Sequence, residues 1–218
     1  MAEKPIVAKI GGGVLGEGDT LFADLVSLQR DGVQVVLVHG GGSLISLWQE
    51  IHGIESRFVR GLRVTDGSGL EVATAVLAGL VNKVLVATLQ AAGGRAVGLS
   101  GVDGDFLQAE VIDRELGYVG RISAVDPSPL KALMKEGFLP VIAPIALQQG
   151  GGKAALGGIL NVNADTAAAE VAVALNARRL IYLTDVPGVQ NGSGESVANL
   201  SREDADDLII SGVVSGGM

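Results

Sequence analysis

Ile6-Val7-Ala8-Lys9-Ile10-Gly11-Gly12-Gly13 is the stretch whose reading decides the fold. Four apolar residues bounded by Pro5 and a triple glycine read as a short, fully buried strand. A lysine inside such a strand needs a reason, because burying an unpaired ammonium is expensive. Either Lys9 snorkels to solvent at the strand end, or it meets an anion there. The glycines favour the anion, since they leave backbone N–H groups unshielded. An amphipathic helix pattern follows at Leu21, Phe22, Leu25, Val26 and Leu28. Strand, glycine turn and helix in that order aim N–H groups and a helix dipole at a phosphate. A tight turn with a snorkelling lysine is the plainer alternative.

The unit then repeats. An apolar run at 33–38 enters His39-Gly40-Gly41-Gly42, and Ser43 opens a helix over 44–51. Two parallel strands ending in such turns put two anion-binding loops on one C-terminal sheet edge. His39 reads as a hydrogen-bonded structural histidine. Alternation around Gly61 in Phe58-Val59-Arg60-Gly61-Leu62-Arg63-Val64-Thr65 predicts a hairpin, with Arg60 and Arg63 able to reach an acidic ligand. A solvated basic hairpin is the alternative.

Asp66 caps a predicted long helix to about Ala92, in which Asn82 and Lys83 read as structural or interface residues. A strand at 96–99, a hairpin from 107–111 and 118–122, a helix over 127–136 and a strand at 139–143 follow. Residues 148–158 form a glycine-rich loop. It leads to Ile159-Leu160-Asn161-Val162-Asn163-Ala164-Asp165, where two amides and a carboxylate meet the start of an alanine-rich helix ending near Leu175. Capping explains Asn163 and Asp165 but not Asn161. A strand at 180–183 runs into Thr184-Asp185-Val186-Pro187-Gly188-Val189, and Ser201 with Asp204 opens a last helix to about Ile210.

Composition narrows the chemistry. The 218 residues hold no cysteine, which excludes disulfides, thiolate zinc and cysteine nucleophiles. Two histidines leave carboxylates and ligand oxygens as metal donors, which suits Mg²⁺. The formal charge of −8 argues against a nucleic-acid surface. No uninterrupted apolar run approaches the roughly 18 residues of a membrane span, so no membrane partner is expected. The dinucleotide fingerprint, the GxxxxGK[ST] phosphate loop and the GxSxG elbow are all missing.

Together Lys9-Ile10-Gly11-Gly12, Val38-His39-Gly40-Gly41-Gly42, the Phe58–Thr65 hairpin, Leu160-Asn161-Val162-Asn163-Ala164-Asp165 and Leu183-Thr184-Asp185-Val186-Pro187-Gly188-Val189 resemble the amino-acid kinase family. Within it the likeness is to the N-acetyl-L-glutamate kinases. The resemblance implies an α/β fold, a three-layer αβα sandwich around a mainly parallel open sheet. It implies an N-terminal lobe over 1–175 for the acyl substrate and dimerisation, and part of an ATP lobe over 176–218. Lys9 and Asp165 would be catalytic; Gly41, Gly42, Arg63 and Asn161 would bind N-acetyl-L-glutamate. Gly11 and Gly12 would hold phosphate oxygens, while Thr184, Asp185, Val186, Val213, Val214 and Ser215 would line the nucleotide side. The implied reaction transfers phosphate from ATP, with Mg²⁺, to the γ-carboxylate of N-acetyl-L-glutamate in arginine biosynthesis, in a cytoplasmic homodimer. No protein metal site is assigned. Relatives carry a second catalytic lysine beyond the Gly-Gly-Met turn, so a chain closing at Met218 is expected to show weak activity or none. A sibling kinase for another acidic amino acid, such as carrier-linked aminoadipate, and a non-catalytic domain binding an acidic ligand or partner stay open as alternatives.

Overall fold

The computed structural model describes residues 4–11, 20–150, 155–184, 186 and 188–214. The opening run is strand β1 (Ile6–Ile10), followed by helix α1 (Leu21–Arg30), β2 (Val35–His39) and α2 (Gly42–Ile51). A strand followed by a helix therefore occurs twice in succession. The predicted hairpin is β3 (Phe58–Val59) with β4 (Leu62–Arg63), and the long helix is α3 (Gly67–Ala91). Then come β5 (Ala96–Ser100), β6 (Leu107–Val111), β7 (Val119–Val125), α4 (Ser128–Lys135), β8 (Leu139–Ala143), β9 (Ile145–Gln148) and β10 (Ile159–Val162). Helix α5 (Ala164–Ala174), β11 (Arg179–Leu183) and α6 (Arg202–Ile210) complete the order.

The main sheet runs β11-β1-β2-β8-β5 with every neighbour parallel. Side chains alternate between the two faces of a strand. Val7, Val36 and Ile142 pack with Leu130 of α4 and with Ala167 and Val171 of α5. Ala8, Leu37 and Val141 pack on the other face with Leu25 of α1 and with Leu77 and Leu85 of α3. Both faces are covered, as a parallel sheet of near-continuous apolar strands requires. This is the expected αβα sandwich with a mainly parallel sheet.

A second sheet was not anticipated. Strands β10, β7, β6 and β9 close into a small barrel. Residues 145–148, the last of them in the predicted glycine-rich loop, pair in it as β9. Gly120 permits the closure, because a Cβ there would lie 2.9 Å from that of Ala109 and 3.1 Å from that of Leu160.

Helix α3 starts as predicted, with the Asp66 carboxylate accepting the Gly69 N–H at 2.7 Å. Its middle, Ala75–Val81, widens into a π-helical segment. Its length and apolar composition would suffice to cross a membrane, but Leu70, Val76, Leu77, Leu85 and Leu89 are buried in the protein. It is a core helix on the sheet.

Candidate active site

Lys9 shares a strand face with Val7, so its side chain leaves β1 towards α5. The start of α5 is fixed by Asn163, whose side-chain oxygen accepts the N–H groups of Asp165 and Thr166 at 2.9 Å each. That cap places Asp165 in the first helical turn, where a carboxylate suits the helix dipole. Lys9 Nζ lies 2.8 Å from Asp165 Oδ1, with side chains 13% and 21% exposed. The ammonium thus meets an anion within the protein. Opposite Lys9 in register stands Tyr182 of β11. Its hydroxyl donates to the Asp165 carbonyl at 3.2 Å, and burial, then the Asp165 charge, raise its pKa.

β1 and β2 end side by side, Ile10 opposite His39. The Gly11 N–H donates to the Leu183 carbonyl at 3.2 Å and the Gly40 N–H to the Ile10 carbonyl at 2.9 Å. Those two glycines extend the sheet ladder. Gly41 and Gly42 stand at the start of α2, whose first-turn N–H groups a helix leaves unpaired. A Cβ on Gly41 would lie 2.8 Å from Leu77 Cδ2, so a side chain there would displace the end of Leu77.

His39 has the structural role expected of it. It is buried; its Nδ1–H donates to the Gly40 carbonyl at 2.9 Å, and Nε2 accepts from Asn82 Nδ2 at 3.2 Å. Burial lowers its pKa from 6.5 to about 4, the Gly40 hydrogen bond opposing and the Lys83 charge assisting. Asn82 also donates to the Val141 carbonyl at 2.9 Å, tying α3 to the sheet.

Arg63 is buried at 8% exposure. Nη1 donates to Gln49 Oε1 at 2.7 Å and to Ser56 Oγ at 3.0 Å. Nη2 donates to the Gly42 carbonyl and to Ser46 Oγ, both at 2.8 Å. The guanidinium also lies 4.6 Å over the Phe58 ring. All these partners are neutral, and among the described residues no carboxylate pairs with Arg63. Arg60 behaves differently from the expectation. It sits exposed at the hairpin tip, 3.6 Å from Asp113 and 4.0 Å from Glu115, off the cavity.

Lys9, Asp165, Gly11, Gly41, Gly42, Arg63 and Asn161 line one cavity of about 260 Å³. Asn161, which capping left unexplained, donates to Thr65 Oγ1 at 3.3 Å. Thr184, Val186, Val213 and Val214 lie outside that lining. Gly12, Asp185 and Ser215 fall outside the described residues. Gln49 and Tyr182 were missed by the sequence reading; the signal for Tyr182 is its register opposite Lys9, which is visible only once β11 is paired with β1.

Residues 4–218 match the model of the amino acid kinase family. The chain belongs to that family. An acetylglutamate kinase from Dehalococcoides mccartyi strain 195 is 42% identical to this amino acid kinase over 213 residues, spanning 98% of the chain and 78% of the relative. The crystal structure of smu.665 from Streptococcus mutans UA159 superposes with a TM-score of 0.85 at 30% identity, covering 98% of this chain and 85% of that one. An N-acetylglutamate synthase from Neisseria gonorrhoeae, solved with coenzyme A and N-acetyl-glutamate, superposes at 0.78 with 32% identity, covering 94% of this chain and 47% of that one. Kinases of this family use ATP.

Proposed function

We propose that this amino acid kinase transfers the terminal phosphoryl group of ATP to the γ-carboxylate of N-acetyl-L-glutamate, as a step of arginine biosynthesis. The observation that carries the reading is one cavity holding both the Lys9–Asp165 pair and a buried Arg63 that, among the described residues, pairs with no carboxylate. A substrate with one carboxylate to phosphorylate and another to anchor matches those two charges. The relatives named acetylglutamate kinase support the same choice.

A side-chain carboxylate with a pKa of about 4.3 is ionised at neutral pH, so the attacking oxygen needs no general base. The neutral, inward-held His39 fits that requirement. Catalysis then rests on position and charge. Lys9 neutralises charge on the transferring group, Asp165 holds the ammonium in place, and the first-turn N–H groups at Gly41 and Gly42 face bound oxygens. Among the described residues no cluster of His, Asp and Glu could hold a metal ion. Lysine and backbone amides suit phosphate oxygens, and Mg²⁺ would accompany those phosphates and offset their charge.

Residues 1–175 would form the acyl-substrate lobe. Residues 176–218, with Gly11 and Gly12, would serve the nucleotide through Thr184, Asp185, Val186, Val213, Val214 and Ser215. The protein would act as a cytoplasmic homodimer, and half-exposed Leu80 and Val84 on α3 offer apolar surface for the contact; light scattering tests it. Calorimetry with N-acetyl-L-glutamate and with α-aminoadipate tests the substrate. Acetylglutamate should bind, and Arg63→Ala should weaken it by about 1.5–3 kcal/mol. No heat with acetylglutamate, or tighter binding of aminoadipate, overturns the reading.

A further inference from the structure

Arg63 is held by four neutral acceptors, and the most buried of the side chains among them is Gln49 of α2, 1% exposed. Gln49 Oε1 accepts from Arg63 Nη1 at 2.7 Å and from the Ser56 hydroxyl at 2.6 Å. A bond to a carboxylate is shorter and stronger than one to an amide. Were the task at residue 49 simply to fix the arginine, glutamate would do it better with nearly the same volume. What glutamate would also do is cancel the guanidinium charge on the cavity wall.

We propose that Gln49 is a positioning residue that sets specificity: it fixes the Arg63 guanidinium without neutralising it, reserving the charge for a carboxylate on the substrate. The proposal rests on the acetylglutamate reading only for the identity of that group. With the γ-carboxylate at Lys9, the carboxylate read by Arg63 is the α-carboxylate. The surroundings of Gln49 fit an uncharged side chain. A Cβ on Gly69 would lie 3.1 Å from both Gln49 Nε2 and Asp66 Oδ1, so the amide end and the carboxylate that caps α3 both pack against Gly69. The amide oxygen is turned to Arg63 and Ser56, and a second carboxylate here would stand near that of Asp66.

The test is calorimetry on wild type, Gln49→Glu and Gln49→Met, with N-acetyl-L-glutamate and with its α-amide as paired ligands, each variant's Tm being measured alongside. Gln49→Glu should weaken the acid about tenfold or more while changing the amide little. Gln49→Met, which removes an acceptor but adds no charge, should discriminate between the two ligands as wild type does. A merely structural role moves both ligands equally and tracks the loss of Tm, and that result overturns the proposal. So does a Gln49→Glu variant that binds the acid as tightly as wild type, an outcome that leaves the acetylglutamate reading standing. If wild type does not bind acetylglutamate, that reading falls by itself, and glutarate and succinate replace it as probes. A selective loss of their binding in Gln49→Glu then supports the role of Gln49, and no binding of any carboxylate overturns it.

Discussion

Lys9 and Asp165 form a pair only partly shielded from water, so the ammonium keeps a route to a ligand. The aspartate sets where the ammonium sits; the phosphoryl group decides when its charge matters. Lys9→Ala should therefore lower kcat for acyl-phosphate formation, trapped as the hydroxamate, by on the order of 10²–10³-fold. The KM for acetylglutamate should stay within a few-fold, as expected when a contact is made in the transition state. A normal kcat would remove Lys9 from the chemistry. Lys9 was legible in the sequence because a charge inside an apolar strand demands a partner. Arg63 was legible because it stands in a predicted hairpin that follows the glycine runs at 11–13 and 40–42. Gln49 was not, since a glutamine on an amphipathic helix has the composition of a solvated face, and its burial depends on a hairpin packing over it.

The hairpin and the barrel meet through Thr65. The Tyr118 N–H donates to the Thr65 carbonyl at 2.7 Å, and the Thr65 N–H donates to the Leu116 carbonyl at 2.9 Å. Between them Gly117 adopts φ +72°, and a Cβ there would collide with the Thr65 carbonyl oxygen. Gly117→Ala should cost more than about 1 kcal/mol in urea unfolding, because positive φ and the clash act together. It should also weaken acetylglutamate binding, since Thr65 Oγ1 is the acceptor for Asn161. A variant with unchanged stability would refute this account of the turn. Strand–turn–helix units were readable from local pattern, being contiguous in sequence. The barrel was not. β9 is four residues long, and although β10 is the next strand, its parallel partner β6 lies far earlier in the chain. The π-helical segment of α3 has no period that distinguishes it from the helix around it.

At the scale of the whole molecule, His39 links stability to pH. Its folded pKa, lowered by burial to about 4, lies below the unfolded value of 6.5. Between those values the unfolded chain binds a proton that the folded chain refuses. Stability from this group is complete above pH 6.5 and is lost as pH falls towards 4, by roughly 3 kcal/mol in all. Urea unfolding at pH 7.5 and pH 5 should show a fall that His39→Asn reduces; an equal fall in both proteins would exclude His39 as its source. Exposed apolar side chains concentrate near the C-terminal end, with Ile181 and Tyr182 on β11 and Ile209 and Ile210 on α6. The layered core was legible because each central strand is apolar on both faces, while the order of strands across the sheet is not written in any one of them.

That strand order has a consequence for a chain emerging from the ribosome. β1 is made first, yet it pairs Ile6 with Arg179 on one side and Ile6 with Val35 on the other. One neighbour of the lysine strand is thus available at once, and the other arrives only with residues 179–183. Asp165 likewise cannot meet Lys9 until α5 has been translated. Contacts so distant in sequence close late, because a long loop must first lose its freedom. A nascent chain can therefore bury the β1–β2 pair early while Lys9, the earliest charge in the site, waits until residue 165 has been translated for its counterpart.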